Sequence, residues 1–544
     1  MSQPQPRRET DIAETLQSLL VAFTLALAFR GFVIEGFVIP TGSMAPTLLG
    51  QHARTHSEVT GYQYAFDGSE SLLIRDVGRN GAPTWRYQAV PILDPMISQT
   101  RPIDAVSPRT IVGETRMGDR VLVLKFLYEF FEPNRWDVVV FKNPVDPIGP
   151  SQNYIKRLVG LGGEQLLIAD GDVFVSGHDA DLSQMRVVRK PDYIQNAVWQ
   201  PIYDSDYIPG TVESRNMVEG LGWMGVPFES TDFDLKDTRT WKASAGGRLS
   251  WRNDRLSIRD FSAYNYLRYP LRGSGSRADF NLRQTVPVSD VRIAAAIEHA
   301  DRETFGTSLE LSALNHRFVY TLRNGKASLS LLDGAGRAIA FEEVDFAPRN
   351  AFELECRNVD QEMSIWINGD RLVALQYEWS PMQRLENAFV GFDVRRYRTD
   401  PHTLQMRRPE LVWDFSGKDI ALRSVRVDRD LYYKTGRLNP QQQAQANGQT
   451  IEGPLYATDP LNPAVLGKDQ FLMLGDNSGF SRDSRYWGRP HQLVVNTVGD
   501  DAPFVAHRDL LVGKAWCVYF PAPGRISSGG PAIIPDFGRL RFIR

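Results

Sequence analysis

Three short blocks, PTGSMAPTL (residues 40–48), YIKR (154–157) and GDNSGFSRDSRYWG (475–488), stand in this order along a chain of 544 residues. Taken singly, each is typical of an ordinary surface element, because Gly, Pro, Ser and Asn mark turns and YIKR fits an edge strand. In series, behind an apolar N-terminal segment, they bring two serines and a lysine into a pattern that indicates catalysis. We therefore expect the three blocks to form one active site.

The residue types in these blocks suit nucleophilic catalysis. A serine hydroxyl is a poor nucleophile until a base accepts its proton, and a neutral lysine amine can be that base. Such a pair differs from the Ser-His-Asp arrangement, in which a histidine accepts the proton. The blocks therefore contain the residue types that a serine hydrolase needs.

Together the blocks resemble those of bacterial type I signal peptidases, the leader peptidases that use a Ser/Lys dyad. The resemblance implies that Ser43 is the nucleophile and Lys156 the general base. It also implies that the Ser481 hydroxyl orients the lysine, and that the Ser43 amide and the Thr41 hydroxyl form the oxyanion hole. It implies neither a metal nor an organic cofactor.

Lys156 can accept a proton only if its pKa is lowered. An ordinary lysine, with a pKa of ~10.4, is neutral only about one time in a thousand near pH 7.5. Burial disfavours the ammonium form and lowers the pKa, and the neighbours Tyr154, Ile155, Leu158 and Val159 are suited to an apolar pocket. A shift of about two units costs roughly 2.7 kcal/mol.

The resemblance also assigns residues around the dyad. Asp483 and Arg485 would form an ion pair that braces the third block, and Asp476 and Arg157 would be structural residues near the site. Six residues would form the walls of pockets for small substrate side chains: Ile39, Pro40, Met44, Leu48, Tyr154 and Ile155. At residues 478–480 the chain has Ser-Gly-Phe where many relatives have Arg-Asp-Asn, which affects the local bracing rather than the dyad.

The N-terminal segment predicts a membrane anchor. Residues 12–34 are mostly apolar, with Glu14 and Arg30 near the ends, as in a single transmembrane helix. Arg7 and Arg8 precede it, so residues 1–11 are expected to form a cytoplasmic tail. The rest of the chain would then lie on the outer, periplasmic side of a bacterial cytoplasmic (inner) membrane.

A cleavable signal peptide is the alternative interpretation of this segment. Leu19 to Leu25 is a candidate apolar region, and Ala26-Leu27-Ala28 has the small-x-small form of a cleavage site. The family resemblance favours a retained helix, because signal peptidases keep theirs and carry the nucleophile just beyond it.

Composition excludes other classes. A formal net charge of −3 provides no basic field for nucleic acid. Cys356 and Cys517 lie in alternating apolar runs, which is typical of buried free thiols rather than of a disulfide or metal ligands. Only His52 and His56 are closely spaced, and they lack an evident third ligand, so we expect no metal site.

Strand patterns dominate after residue 35, so we expect a mainly β protein. The resemblance implies a discontinuous catalytic domain of the signal-peptidase β-barrel type, formed by residues 35–50, 112–204 and 428–544. Within it, residues 166–175 predict a hairpin that turns at Asp170-Gly171. Residues 51–111 are a polar insertion whose role the sequence does not assign.

Residues 205–427 form a second insertion with the pattern of an antiparallel β-sandwich. Apolar residues alternate from Phe318 to Leu322 and from Met363 to Ile367, and the turn pairs Asn324-Gly325 and Asn368-Gly369 follow. The pattern weakly resembles laminin-G or concanavalin-like domains, which often bind sugars or proteins. A packing or spacer role remains equally open, since fold alone does not give function.

We expect this insertion to leave and rejoin the catalytic domain at neighbouring points, away from Ser43, and to act as an accessory module. A Gln-rich linker, residues 439–454, would lead back to the third block.

The sequence thus predicts a membrane-anchored serine endopeptidase that cleaves signal peptides from exported preproteins after small residues at −1 and −3. Its partners would be those preproteins, membrane lipid, and a sugar or protein bound by the sandwich. One alternative is a soluble Ser/Lys autoprotease like the bacterial damage-response repressors, but no DNA-binding helical pair is evident. Another is an inactive anchor that presents the sandwich, against which stand the intact Ser43, Lys156 and Ser481.

Overall fold

A computed structural model describes residues 12–67, 73–77, 83–87, 90–92, 94–98, 104–106, 115–220, 223–235, 239–268, 285–438, 453–525 and 532–544. The expected cytoplasmic tail, parts of the 51–111 insertion and most of the Gln-rich linker lie outside these residues. The described chain is mainly β, as the sequence predicts, and its large sheets pair antiparallel.

The α-helices are few. They span Ile12–Phe32, Leu127–Phe130, Asp192–Val198, Val212–Gly220, Pro381–Ala388, Val394–Thr399 and Gln492–Val498. The first covers most of the segment predicted as a transmembrane helix and exposes large apolar side chains such as Leu19 and Phe32. Within the described residues, however, no helix combines the length and apolar character that crossing a membrane requires.

An eight-stranded main sheet joins all three parts of the expected catalytic domain. In spatial order its strands are Ile34–Val38, Arg120–Leu124, Leu511–Phe520, Val138–Lys142, Asn153–Gly160, Gln470–Leu474 and Ala506–His507, with Arg541–Phe542 attached to Leu511–Phe520. The hydrogen bonds between these described strands trace an open order, so they do not close the barrel that we expected. The strand that carries Lys156 lies beside the strand that leads into the third block, Gln470–Leu474.

A four-stranded sheet, the hairpin sheet, lies next to the main sheet. Its strands are Arg186–Val187, Asp172–Gly177, Glu164–Ala169 and Ala464–Val465. The predicted turn is confirmed, because Asp170 and Gly171 both have positive φ, 49° and 87°, and connect the two central strands. Side chains alternate between its faces: Leu166 packs with the core that includes Leu472, and Leu167 packs into the core of the insertion.

The second insertion forms two seven-stranded sheets around one core. One sheet runs Gln200–Asp204, Ile420–Arg429, Val291–Glu298, Ala351–Val359, Glu362–Ile367 and Asp370–Gln376, with Thr240–Ala243 also on Ile420–Arg429. The other runs Phe228–Glu229, Gly247–Trp251, Glu410–Ser416, Gly306–Ala313, His316–Arg323, Lys326–Leu332 and Ala338–Asp345. Both predicted turns, Asn324-Gly325 and Asn368-Gly369, have positive φ and join paired strands.

The insertion leaves and rejoins the catalytic part at neighbouring points, as expected, because Pro201 pairs with Asp428. Its first strand begins at Gln200, earlier than the boundary at residue 205 that the sequence predicts. The last strand, Ile420–Arg429, is central in its sheet and also pairs with Val291–Glu298. The insertion is therefore joined to the rest of the chain through two paired strands, of which Ile420–Arg429 is interior in its sheet.

A buried ionic cluster joins the hairpin sheet to the sandwich. Arg384 of the sandwich lies 2.9 Å from Asp170, 3.3 Å from Asp172 and 2.7 Å from Asp290, measured between nitrogen and carboxylate oxygen. Burial raises the pKa of Asp170 to about 6, although Arg384 opposes the shift, and it raises the pKa of Asp172 well above its ordinary value. The three acids therefore depend on one guanidinium for compensation.

A second buried cation, Lys190, completes this cluster. Its ammonium lies 2.6 Å from Asp360 and 2.9 Å from Asp430. Asp172, Asp290 and Asp360 lie close enough to share a metal ion, with one oxygen of each within 4.8 Å of the others. The ammonium of Lys190 and the guanidinium of Arg384 already place positive charge against these carboxylates. We therefore interpret the cluster around Arg384 and Lys190 as a buried set of ion pairs, the ionic seam, and not as a metal site.

The described parts of the first insertion form small sheets. Gln63–Phe66, His52–His56 and Thr115–Arg116 make one sheet, and two hairpins pair Leu73–Val77 with Pro83–Tyr87 and Val90–Ile92 with Asp104–Val106. Near the C-terminus, Gly524–Arg525 pairs with Ala532–Ile534. His52 is buried, its Nδ1 lies 2.7 Å from the Gly50 carbonyl oxygen, and burial lowers its pKa to about 4, whereas His56 is exposed.

Candidate active site

The first two blocks meet at Ser43 and Lys156. Ser43 lies in a 3-10 turn, Gly42–Met44, that follows the edge strand of the main sheet, and Lys156 projects from the strand Asn153–Gly160. The Lys156 Nζ donates a hydrogen bond of 2.6 Å to the Ser43 Oγ. This is a hydrogen-bond distance, within the ~2.6–3.2 Å that proton transfer from a nucleophile to its base requires.

The surroundings of Lys156 favour its neutral form. The side chain is only 3% exposed, and burial lowers its pKa from 10.5 to about 8, while Asp483 and Asp476 partly oppose the shift. Its Nζ also donates to the Ile155 carbonyl oxygen at 3.1 Å and lies 5.3 Å from the centre of the Tyr154 ring. A substantial fraction of the amine can therefore be neutral at mildly alkaline pH.

Asp476 connects the three blocks. Its carboxylate receives two hydrogen bonds from Arg157, from Nε at 2.8 Å and from Nη2 at 2.6 Å, and a third from the Thr47 hydroxyl at 2.6 Å. Arg157 also donates to the Trp136 carbonyl oxygen at 2.8 Å. Because this ion pair is fully buried and bidentate, it fixes the loop of Ser43 relative to the strand of Lys156.

Asp483 and Arg485 form a second, fully buried ion pair, with Nη2 2.8 Å from Oδ2. Asp483 also accepts from the Gly475 amide at 3.0 Å. Arg485 donates to the Ser478 hydroxyl at 2.8 Å, and Ser478 accepts in turn from the Lys434 amide at 2.7 Å. Ser478, the residue that departs from many relatives, therefore takes part in bracing the third block here.

Ser481 lies close to the loop that contains Ser43. A Cβ at Gly475 would come within 2.1 Å of the Ser481 Oγ and 2.5 Å of the Ser43 carbonyl oxygen, so only glycine fits between them. The Ser481 Oγ is buried and has no hydrogen-bond partner in the described part of the chain. Its role in orienting Lys156 stays a prediction, as does the oxyanion role of Thr41, whose side chain is exposed.

The predicted pocket residues divide into two groups. Ile39, Met44, Leu48 and Ile155 share one buried apolar cluster, and Met44 and Leu48 are fully buried, so these two can only support a pocket wall from behind. Outside that cluster, Tyr154 is half-buried and Pro40 is exposed. The substrate-facing roles of all six stay predictions.

The structure also brings in residues that the sequence did not single out. The Asn477 side chain donates to the Gly42 carbonyl oxygen at 2.9 Å, and the Asn477 backbone N–H donates to the Ser43 carbonyl oxygen at 3.1 Å. Asn265 of the sandwich exchanges hydrogen bonds with Asn477. The expectation that the insertion stands apart from Ser43 is therefore wrong. No local sequence signal marks Asn265, because its partner lies 212 positions further along the chain.

Part of the chain matches a known protein family. Residues 97–218 match the family model described as Signal peptidase, peptidase S26. This chain is similar to signal peptidases there. The matched range contains Lys156 and the hairpin sheet up to Val187, but it contains neither Ser43 nor the third block.

Curated relatives carry the same description. The chain is 29% identical over 145 residues to the probable signal peptidase I-2 of Synechocystis sp., covering 24% of this chain and 64% of the relative. It is 33% identical over 194 residues to signal peptidase I of Leptolyngbya laminosa (35% and 61%), and 27% identical over 172 residues to signal peptidase I of Pseudomonas fluorescens (31% and 40%). The chain thus spans less than two thirds of the length of each of these relatives.

Solved structures are similar to parts of this chain only at low scores. A Caenorhabditis elegans galectin has a TM-score of 0.18 at 13% identity and covers 26% of this chain and 87% of its own. The binding domain of botulinum neurotoxin serotype D has a TM-score of 0.22 at 12% identity and covers 38% and 44%. Both scores are low, and the description of the sandwich rests on its own strands.

Proposed function

We propose that the chain is a serine endopeptidase that removes signal peptides from exported preproteins with a Ser43–Lys156 dyad. The observation that carries this proposal is the 2.6 Å contact between the Lys156 amine and the Ser43 hydroxyl, combined with the burial of the lysine. The similarity of residues 97–218 to signal peptidases supports the substrate class.

The geometry accounts for the chemical steps. Neutral Lys156 accepts the proton of Ser43 as the hydroxyl attacks the scissile carbonyl, and the resulting ammonium returns a proton to the leaving amine. While the hydroxyl attacks, the backbone N–H of Ser43 stabilises the developing oxyanion, with Thr41 as the proposed second donor. Water enters with Lys156 as base and releases the acyl group from Ser43.

The proposal includes attachment to a bacterial cytoplasmic membrane. The helix Ile12–Phe32 supports it, because this helix exposes Leu19, Val21 and Phe23 rather than burying them against the sheets. A contiguous patch of exposed apolar side chains marks a surface that binds lipid or another protein. A sugar or protein ligand of the sandwich stays a prediction.

The direct test is cleavage of a model preprotein by the purified chain in detergent. We expect two products, and mass spectrometry should place the new N-terminus directly after the small residue at −1. Lys326→Met is a matched control for substitutions of Lys156, because Lys326 is an exposed lysine of the sandwich that pairs with Glu343. Absence of specific cleavage by a folded wild-type chain would reject the proposal.

Activity should depend on pH through Lys156. Its pKa is lowered to about 8, and only the neutral amine is a base, so kcat/KM should rise between pH 6 and 9 with a midpoint near 8. The measurement is a pH profile with a short fluorogenic peptide, corrected for any unfolding at each pH. A profile that peaks in acid and falls by pH 8 would rule out Lys156 as the base.

Substrate choice should follow from the apolar walls near the dyad. Ile39 and Ile155 are nearly buried within the same cluster as Met44 and Leu48, which leaves little space for a large side chain. We therefore expect Leu or Phe at −1 of a preprotein to abolish cleavage, whereas Ala, Gly and Ser are accepted. Efficient processing of the Leu or Phe variant would show that the pocket lies elsewhere.

A further inference from the structure

A short segment of the sandwich lies directly on the loop that carries Ser43. This segment begins at Ser262 and continues into the 3-10 turn Ala263–Arg268. Tyr264 and Asn265 are both buried, each 4% exposed, even though the turn belongs to an insertion. The segment contacts the loop of Ser43, residues 41–50, which we call the nucleophile loop.

Tyr264 closes over the backbone of the loop. A Cβ at Gly42 would come within 2.3 Å of the Tyr264 ring, so the hydroxyl end of the ring lies directly against this glycine. Tyr264 also forms a small apolar cluster with Ala45 and Leu49 of the loop. The Asp67 amide donates to the Tyr264 carbonyl oxygen at 2.8 Å, which ties the same turn to the first insertion.

Asn265 holds the side chain of Asn477 through a reciprocal pair of hydrogen bonds. The Asn265 Nδ2 donates to the Asn477 Oδ1 at 2.6 Å, and the Asn477 Nδ2 donates to the Asn265 Oδ1 at 2.9 Å. The second hydrogen of the Asn477 Nδ2 goes to the Gly42 carbonyl oxygen at 2.9 Å. Both hydrogens of the Asn477 Nδ2 and its Oδ1 are therefore hydrogen-bonded, which fixes the plane of this side-chain amide.

The Gly42 carbonyl and the Ser43 amide belong to the same peptide unit. Because a trans peptide is planar, its carbonyl and its N–H point in opposite directions. A donor that fixes the Gly42 carbonyl therefore also aims the Ser43 N–H, the group proposed to stabilise the oxyanion. The backbone N–H of Asn477 also donates a hydrogen bond to the next carbonyl oxygen, that of Ser43, at 3.1 Å.

We infer that the inserted sandwich is a working part of the active site, in which Asn265 is a positioning residue that acts through Asn477 on the peptide carrying the Ser43 N–H. This inference rests on the proposed proteolytic function. It replaces the accessory role expected from the sequence, and it means that the insertion contributes to the chemical step rather than only to substrate capture.

The test compares Asn265→Ala and Asn265→Asp with wild type on a short peptide substrate. Asn265→Asp keeps the shape but cannot donate to the Asn477 Oδ1. Loss of a complete oxyanion donor costs about 10²–10³ in kcat, so misalignment of one should lower kcat by roughly 10-fold in both variants, with KM nearly unchanged. Asn253→Ala is the matched control, because Asn253 donates to the Pro409 carbonyl oxygen within the sandwich.

A double-mutant cycle separates positioning from general destabilisation. If Asn265 acts through Asn477, then Asn265→Ala combined with Asn477→Ala should be no slower than Asn477→Ala alone. The urea midpoint of Asn265→Ala should match that of Asn253→Ala. Independent, multiplicative losses, or a kcat within about twofold of the control, would overturn the inference. Wild-type chain that cleaves no peptide would instead reject the proposed function itself.

Discussion

Ser43→Ala, Lys156→Ala and the double variant should each lose cleavage activity by a similar factor, on the order of 10³ or more. In the proposed mechanism Ser43 and Lys156 act in one proton transfer across the 2.6 Å contact, so the loss of either residue removes the whole step. Residues that act as a unit have strongly non-additive effects. The measurement is kcat/KM on a model preprotein, with single-turnover data for the slow variants.

Folding controls make this result interpretable. Burial lowers the pKa of Lys156 from 10.5 to about 8, which corresponds to roughly 3 kcal/mol of cost for the charged amine at neutral pH. This cost is present below about pH 8 and fades as pH rises towards the unfolded pKa. Lys156→Met should therefore be inactive yet at least as stable as wild type at pH 7. Losses that multiply in the double variant would count against a dyad.

Arg384→Met should destabilise the protein by about 3–5 kcal/mol, the largest stability effect that we expect outside the apolar cores. The substitution keeps the bulk but leaves Asp170, Asp172 and Asp290 buried without their shared cation. Since these acids join the hairpin sheet to the sandwich, the loss should affect both parts together. Urea denaturation monitored by tryptophan fluorescence would measure it.

The effect of Arg384→Met should also depend on pH in a defined direction. Burial already raises the pKa of Asp170 to about 6 despite the nearby guanidinium, and removing that guanidinium raises it further. Ionised buried acids destabilise the fold as pH rises, so the loss should be larger at pH 7.5 than at pH 5. Arg423→Met is the control, because its ion pair with Glu298 is 52% and 53% exposed and is worth at most ~1 kcal/mol. Equal losses in both variants would refute the seam.

The insertion meets the rest of the protein at the ionic seam around Arg384 and at the Asn265–Asn477 contact, and these two contacts have different consequences. The ionic cluster around Arg384 and Lys190 governs whether the sandwich and the hairpin sheet stay joined. In our proposal the contact of Asn265 with Asn477 orients the nucleophile loop. Deleting the sandwich would remove both at once and would expose Leu167 and Phe174 of the hairpin sheet. We therefore expect point variants to be more informative than a deletion.

Local sequence determined much of this protein. The turn pairs Asp170-Gly171, Asn324-Gly325 and Asn368-Gly369 specify hairpins, because Asn, Asp and Gly tolerate the positive φ that tight turns require. Period-2 alternation correctly predicted the sandwich strands that contain Phe318–Leu322 and Met363–Ile367. The candidate dyad was named from three motifs, whose residue types are those that serine chemistry requires.

Only the tertiary structure decided how the pieces meet. The pKa of Lys156 depends on burial among residues from other strands and on Asp476 and Asp483, which lie more than 300 positions away. The pairing of Asn265 with Asn477 and the compensation of three acids by Arg384 likewise join residues distant in the chain. Local patterns encode turns, strands and candidate chemistry because those depend on neighbouring residues. Electrostatics and loop orientation depend on groups that only folding brings within a few ångströms, and so the role proposed for the insertion rests on the tertiary structure.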